Sequence, residues 1–396
     1  MNRLLRISFD TLLTSLTPIL GWFLLGILVD KNLINIFSLI YPIQFIICTI
    51  KSIFGTGANV SSIRDNNKNS VYSGILIGSI VGAVILGIII VNIDKYISFM
   101  NMDIDTYKIF GTYGVIQMFL QLLLNLSLCK LYFEDENKRA NKYSFLFNII
   151  NFSSLILLSI ITKEQIIIAG ITTIVSSIFV AIMLFRLVKR TKIQINILNC
   201  IKYDAVELFH EISMFIIYLF GFKTAFNFGE KYILAISFSD LITDTQWDVA
   251  YSIKILAQVD ITKKVFSYKE HIKNSRKLIY ILIASVMVMG TALYPFYKTD
   301  IPVTLIITII GLICLGMYPV YVTKMTFLQM EYSAMKATIS KQIANILRII
   351  CSFLPTPFCT TIGLMISATY QLLSTNYYIT KNKLNMEMNE EKSKIK

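Results

Sequence analysis

Apolar runs of about 20 residues recur from one end of this chain to the other, separated by short polar connections. A helix of that length spans the roughly 30 Å hydrocarbon core of a bilayer. No connection is long enough for a water-soluble domain. Composition agrees: 55% of the 396 residues are hydrophobic and 15% are charged, whereas a soluble domain carries about 25% charge. The runs predict helices over 7–29, 33–60, 71–93, 107–130, 141–161, 165–188, 206–228, 232–258, 277–297, 302–324, 334–354 and 359–380. The opening MNRLLRISFD has the basic-then-apolar start of a signal peptide. Asp10 interrupts its apolar stretch and no small-residue cleavage site follows, so the first run is read as a retained helix.

The net charge of +13 orients these helices. With the N-terminus in the cytoplasm, 26 of the 37 Lys and Arg residues fall on the inner side. Six fall on the outer side (Lys31, Lys95, Lys108, Lys163, Lys231 and Lys298), and Lys51, Lys223, Lys254, Lys341 and Arg348 lie within spans. That bias survives every alternation, as the positive-inside rule requires. The expected partner of the basic side is anionic lipid headgroups rather than nucleic acid. The six cysteines show no paired spacing, so neither disulfides nor a metal site is expected. The chain is expected to be a multi-pass cell-membrane protein with both termini cytoplasmic, working as a monomer.

Starts of the last six spans trail those of the first six by 199, 199, 206, 195, 193 and 194 residues. Gly21 with Gly221, and Asp30-Lys31 with Glu230-Lys231, echo the same offset. An even number of spans per half makes the repeat parallel, related by an axis along the membrane normal. The fold class read from this is an all-α membrane protein of about twelve helices in two six-helix lobes, residues 1–195 and 196–396. The basic segment Arg186 to Asp204 links the lobes, and a short charged cytoplasmic tail ends the second.

Four stretches carry a family resemblance. YPIQFIICTIKSIFGTGANVSSIRDNNKNSVYSG (Tyr41 to Gly74) resembles the end of helix 2 and the following loop of multidrug and toxin extrusion (MATE) transporters, within the multidrug/oligosaccharidyl-lipid/polysaccharide flippase superfamily. FEDENKRANKYSFLFNIINFSSLIL (Phe133 to Leu157) is similar to that family's 4–5 loop, with Asn151 where members often have Asn. IIIAGITTIVSSIF (Ile166 to Phe179) resembles its sixth helix and IGLMISATYQLLSTNYY (Ile362 to Tyr378) its last. The resemblance implies two lobes, alternating access, and export of a drug or metabolite driven by inward Na⁺ or H⁺, with no other cofactor. Members often carry an acid midway along helices 1 and 7; Gly21 and Gly221 stand near those positions here.

The residues richest in chemistry lie in the eighth span. In SFSDLITDTQWDVAYS, Asp240, Asp244 and Asp248 are spaced i, i+4, i+8, which puts them within about 80° of one another on a helix. Ser237, Thr243, Trp247 and Tyr251 share that face, while Ile242, Val249, Ile253 and Leu256 lie opposite. One Asp at a bilayer centre costs about 2.5–3.5 kcal/mol, so the face is expected to meet protein, a counter-ion or water. Lys223 stands at matching depth on the seventh span and is expected to pair with Asp240. Asp244 and Asp248 are the candidates for binding H⁺, Na⁺ or a cationic substrate, with Trp247, Thr243 and Tyr251 beside them.

Other polar residues read more simply. Glu207, His210 and Glu211 open the seventh span, where acids suit the helix dipole. Asp10 can pair with Arg6. Lys341 and Arg348 either form an anion site or balance the eighth-span acids. Pro18, Pro42 and Pro319 are candidate kinks. No GxGxxG, Walker A, HExxH or Ser/His/Asp pattern is present, so no enzymatic activity is expected and transport must run on an ion gradient or passively. The expected function is secondary active efflux of a small cationic or amphipathic compound. The alternatives are a lipid-linked oligosaccharide or precursor flippase, a membrane-embedded transferase resting on Glu207, His210 and Glu211, and a degenerate transporter with a sensing role.

Overall fold

The computed structural model describes residues 4, 5, 8, 20–64, 69–134, 136–187, 193–203, 205–384 and 386; Asp10, Pro18 and the tail from 387 lie outside them. The described residues form helices joined by short connections, with no β-strand among them. The helices are α1 (20–28), α2 (Asn35–Lys51), α3 (Ala58–Arg64), α4 (Asn69–Val91), α5 (Ile93–Phe99), α6 (Ile104–Phe133), α7 (Asn137–Ile161) and α8 (Gln165–Leu187). They continue with α9 (Ile197–Tyr203), α10 (Ala205–Phe226), α11 (Glu230–Thr262), α12 (Tyr268–Tyr297), α13 (Ile301–Phe327), α14 (Ala334–Ser352) and α15 (Cys359–Lys381). Among the described residues, eight helices are long and apolar enough to cross a membrane. α11, α14 and α15 have the length, at 33, 19 and 23 residues, but carry polar faces.

Local chemistry sets the helix starts. Asp103, Ser267, Asp300 and Ser333 each accept a backbone N–H three residues on, capping α6, α12, α13 and α14. Gly229 takes φ 107°, a left-handed backbone that glycine adopts without a Cβ penalty, and α11 begins directly after it. Pro42 and Pro319 sit inside α2 and α13, and both helices run on past them. The helical path from α2 into α3 instead changes winding at a π turn, Ser52–Gly57, and α13 ends in a second one, Leu328–Tyr332.

By packing, the chain divides into two compact units, Thr17–Asn227 and Met1–Leu16 with Phe228–Lys396. Within the first, α10 packs on α2 through a run of rings. Phe45 and Tyr218 stack with centroids 5.3 Å apart, and Tyr41 meets Tyr218 edge-on at 4.7 Å. Small residues let the other helices of this unit close up. A Cβ on Gly114 of α6 would lie 2.8 Å from Ile40 of α2, and one on Gly57 would lie 2.5 Å from the Cys200 carbonyl oxygen. Within the second unit, α11 packs on α13, and α13 and α14 on α15. Its core gathers Val249, Ile253, Leu278, Leu282, Leu315 and Ala368. Five of the six cysteines are buried, and Cys48 is half-buried.

Candidate functional site

α11 buries the face predicted to be apolar: Ile242, Val249, Ile253 and Leu256 are all at most 7% exposed. The opposite face carries the acids and opens progressively along the helix. Ser237 is buried, Asp240 and Asp244 are half-buried, and Asp248 is exposed. The i, i+4, i+8 spacing therefore produces one continuous acidic strip. Thr243 shares the strip, but its hydroxyl donates to the Ser239 carbonyl oxygen of its own helix at 2.9 Å, so only its lone pairs remain for a ligand. Tyr251 is exposed, and its phenolic oxygen accepts from Lys254 Nζ at 3.3 Å.

Aromatic rings stand beside the strip. Trp247 meets Tyr318 of α13 edge-on at 5.5 Å, and Tyr318 meets Tyr321 at 5.4 Å. Their negative faces suit a cation. Arg348 of α14 is the charged neighbour whose field reaches Asp240, Tyr321 and Cys314. Lys223, expected to pair with Asp240, belongs to the Thr17–Asn227 unit, where its ammonium lies 3.9 Å from the Phe99 ring centroid. His210 and Glu211 are half-buried near the start of α10, and the Glu207 side chain lies outside the described set. Among the described residues, no three His, Cys, Asp or Glu side chains converge as metal ligands.

Sequence reasoning passed over a second polar group, in the Thr17–Asn227 unit. Tyr113 donates from its hydroxyl to Asn151 Oδ1 at 2.8 Å, and Asn151 Nδ2 donates to Gln117 Oε1 at 2.7 Å. The available signal was the presence of Gln117, Gln121, Asn148 and Asn151 inside otherwise apolar spans.

Comparison with solved structures bears on this helical arrangement. An inward-facing structure of a multidrug resistance MATE family transporter of the MOP superfamily is similar over 93% of this chain and 95% of its own, with TM-score 0.68 and 15% identity. An outward-facing structure of such a transporter matches over 96% of each chain at TM-score 0.63 and 16% identity. A MOP superfamily transporter from Pyrococcus furiosus, described as having a binding pocket of reverse polarity that suggests a different function, matches over 96% of each chain at TM-score 0.64 and 16% identity. No family model and no curated protein matches the chain. At these identities the likeness is one of fold: the chain has the twelve-helix, two-lobed architecture of MATE transporters.

Proposed function

We propose that the chain is a secondary active exporter of a small cationic or amphipathic compound, driven by an inward Na⁺ or H⁺ gradient through alternating access of two lobes, 1–195 and 196–396. The observation that carries this reading is the acidic strip of α11, which runs from half-buried Asp240 and Asp244 to exposed Asp248 with Trp247 alongside. Carboxylates held in a membrane span pair, protonate or bind a cation, because leaving them bare costs several kcal/mol. Asp244 and Asp248, at the more open end of the strip, are the residues assigned to the coupling ion or the substrate. The fold likeness to inward- and outward-facing transporters supports a lobe-rocking cycle. The flippase alternative draws on Lys341 and Arg348 alone.

The test is uptake or release of a cationic dye by proteoliposomes under an imposed Na⁺ or pH gradient. Asp244→Asn or Asp248→Asn should abolish gradient-driven movement in protein that still inserts and elutes as wild type. Wild-type transport by both variants would end the coupling assignment.

A further inference from the structure

The Thr17–Asn227 unit encloses a cavity of about 90 Å³ between α1, α2, α6 and α7. Its fourteen lining residues include no Asp, Glu, Lys, Arg or His. Four are aromatic, Trp22 and Tyr113 among them, and four are amides, Gln117, Gln121, Asn148 and Asn151. The Tyr113–Asn151–Gln117 relay runs along its wall and ends on Gln117 Nε2, a buried amide nitrogen with no hydrogen-bond partner among the described residues. An unmet buried donor is destabilising, because it has lost its water without gaining a partner. Turning both amides end for end would strand Gln117 Oε1 instead, so in either orientation the relay terminates on one unmet group.

We propose that this cavity is a binding site for the uncharged head group, a carboxamide or a hydroxyl, of an amphipathic molecule whose apolar part lies against Trp22 and Phe152. A head group that both donates and accepts satisfies the relay in either orientation. A charged group entering this lining would meet no counter-charge and would lose its hydration, which opposes binding. The volume suits one small functional group rather than a whole drug, since pockets for drug-sized ligands run to about 300–1,000 Å³. The site is separate from the α11 strip. It depends on the transport reading only for describing the bound molecule as cargo, and binding at the cavity stands or falls by itself.

Trp22 supplies the readout. In a Trp247→Phe background it is the sole tryptophan, since the chain has two. In nanodiscs, 4-bromobenzamide should quench Trp22 saturably, while 4-bromobenzylammonium and 4-bromobenzoate quench only in proportion to their partitioning into lipid. Gln117→Leu should weaken the saturable component at least tenfold, and Gln117→Met, similar in length and lacking the amide, should do the same if the Leu variant inserts poorly. Asp244→Asn should leave it unchanged, which separates this site from the proposed coupling acids. Saturable quenching by either ion with equal or greater affinity would overturn the proposal. So would the absence of any saturable component, or full binding in both Gln117 variants.

Discussion

Two glycines on one helix make opposite demands, and replacing each by alanine measures how tightly the first unit is packed. On α4, a Cβ at Gly74 would collide with the Phe54 carbonyl oxygen on the π turn of the α2–α3 path and would lie 2.8 Å from Ala58 Cβ. At Gly87 a Cβ would meet nothing within 4 Å. In an unobstructed helix, Gly→Ala stabilises by about 0.5–1 kcal/mol through the lost flexibility of the unfolded chain. Overpacking costs about 1–3 kcal/mol, and a backbone carbonyl cannot move aside by changing rotamer. Gly87→Ala should therefore stabilise by up to about 1 kcal/mol and Gly74→Ala destabilise by about 1–2 kcal/mol. The gap of about 1.5–3 kcal/mol corresponds to about 3–12 °C for a unit of 150–250 residues. The five buried thiols supply the assay. A fluorogenic maleimide reacts as heating exposes them, and the midpoint of the rise in detergent reports unfolding. Equal midpoints for the two variants, or a higher one for Gly74→Ala, would refute the packing argument.

Arg348→Met should cost less in an Asp240→Asn background than in wild type, by about 0.5–3 kcal/mol of coupling, measured with the same maleimide melts. The corresponding cycle for Lys223 and Asp240 should show the smaller coupling, because Lys223 rests over Phe99. Tyr218→Ala, which removes the ring stacked on Phe45, should lower stability by about 2–4 kcal/mol, and Tyr218→Phe should keep most of it. Cysteines at Lys142 and Lys273 should react only with reagents that reach the cytoplasm, whereas cysteines at Asn101 and Lys298 should label from outside in intact cells. All four positions are exposed, so labelling of Lys142 and Asn101 from one side would break the assigned topology.

Most of the helical path was legible because spanning a bilayer leaves a length-dependent apolar signature that needs no knowledge of neighbours. α11 is the instructive case. Its acids lower its hydropathy, yet their four-residue spacing disclosed both a helix and its polar face, and its apolar side is buried as that spacing requires. The helices α5 and α9, seven residues each, left no such trace, because elements so short are held by contact with their surroundings. Neither π turn was visible. Proline suggested interruptions at Pro42 and Pro319, whereas the winding changes at Ser52–Gly57 and Leu328–Tyr332. The acid strip lies on one helix and could be read from spacing, but the relay joins residues 34 and 38 positions apart on α6 and α7. The charge of Arg348 likewise comes to act on Asp240 only through tertiary packing. Side chains brought together from different helices have no periodicity to announce them.

The π turn at Ser52–Gly57 holds one residue more per hydrogen-bonded loop than the α-helix on either side. Each helical residue advances the chain by about 100°, so that surplus residue sets the azimuth of everything from Ala58 to Arg64. Deleting one residue, Thr56 for instance, would restore uniform winding and swing α3 by about 100°. Buried Ser61 and Ser62 would leave their present neighbours, and Gly57 would turn away from Cys200. In effect the turn is an insertion absorbed without a loop. A chain of the same fold that winds this segment uniformly is out of phase with this one beyond residue 57. A letter-by-letter comparison of the two comes back into step only across a one-residue gap placed inside continuous helix.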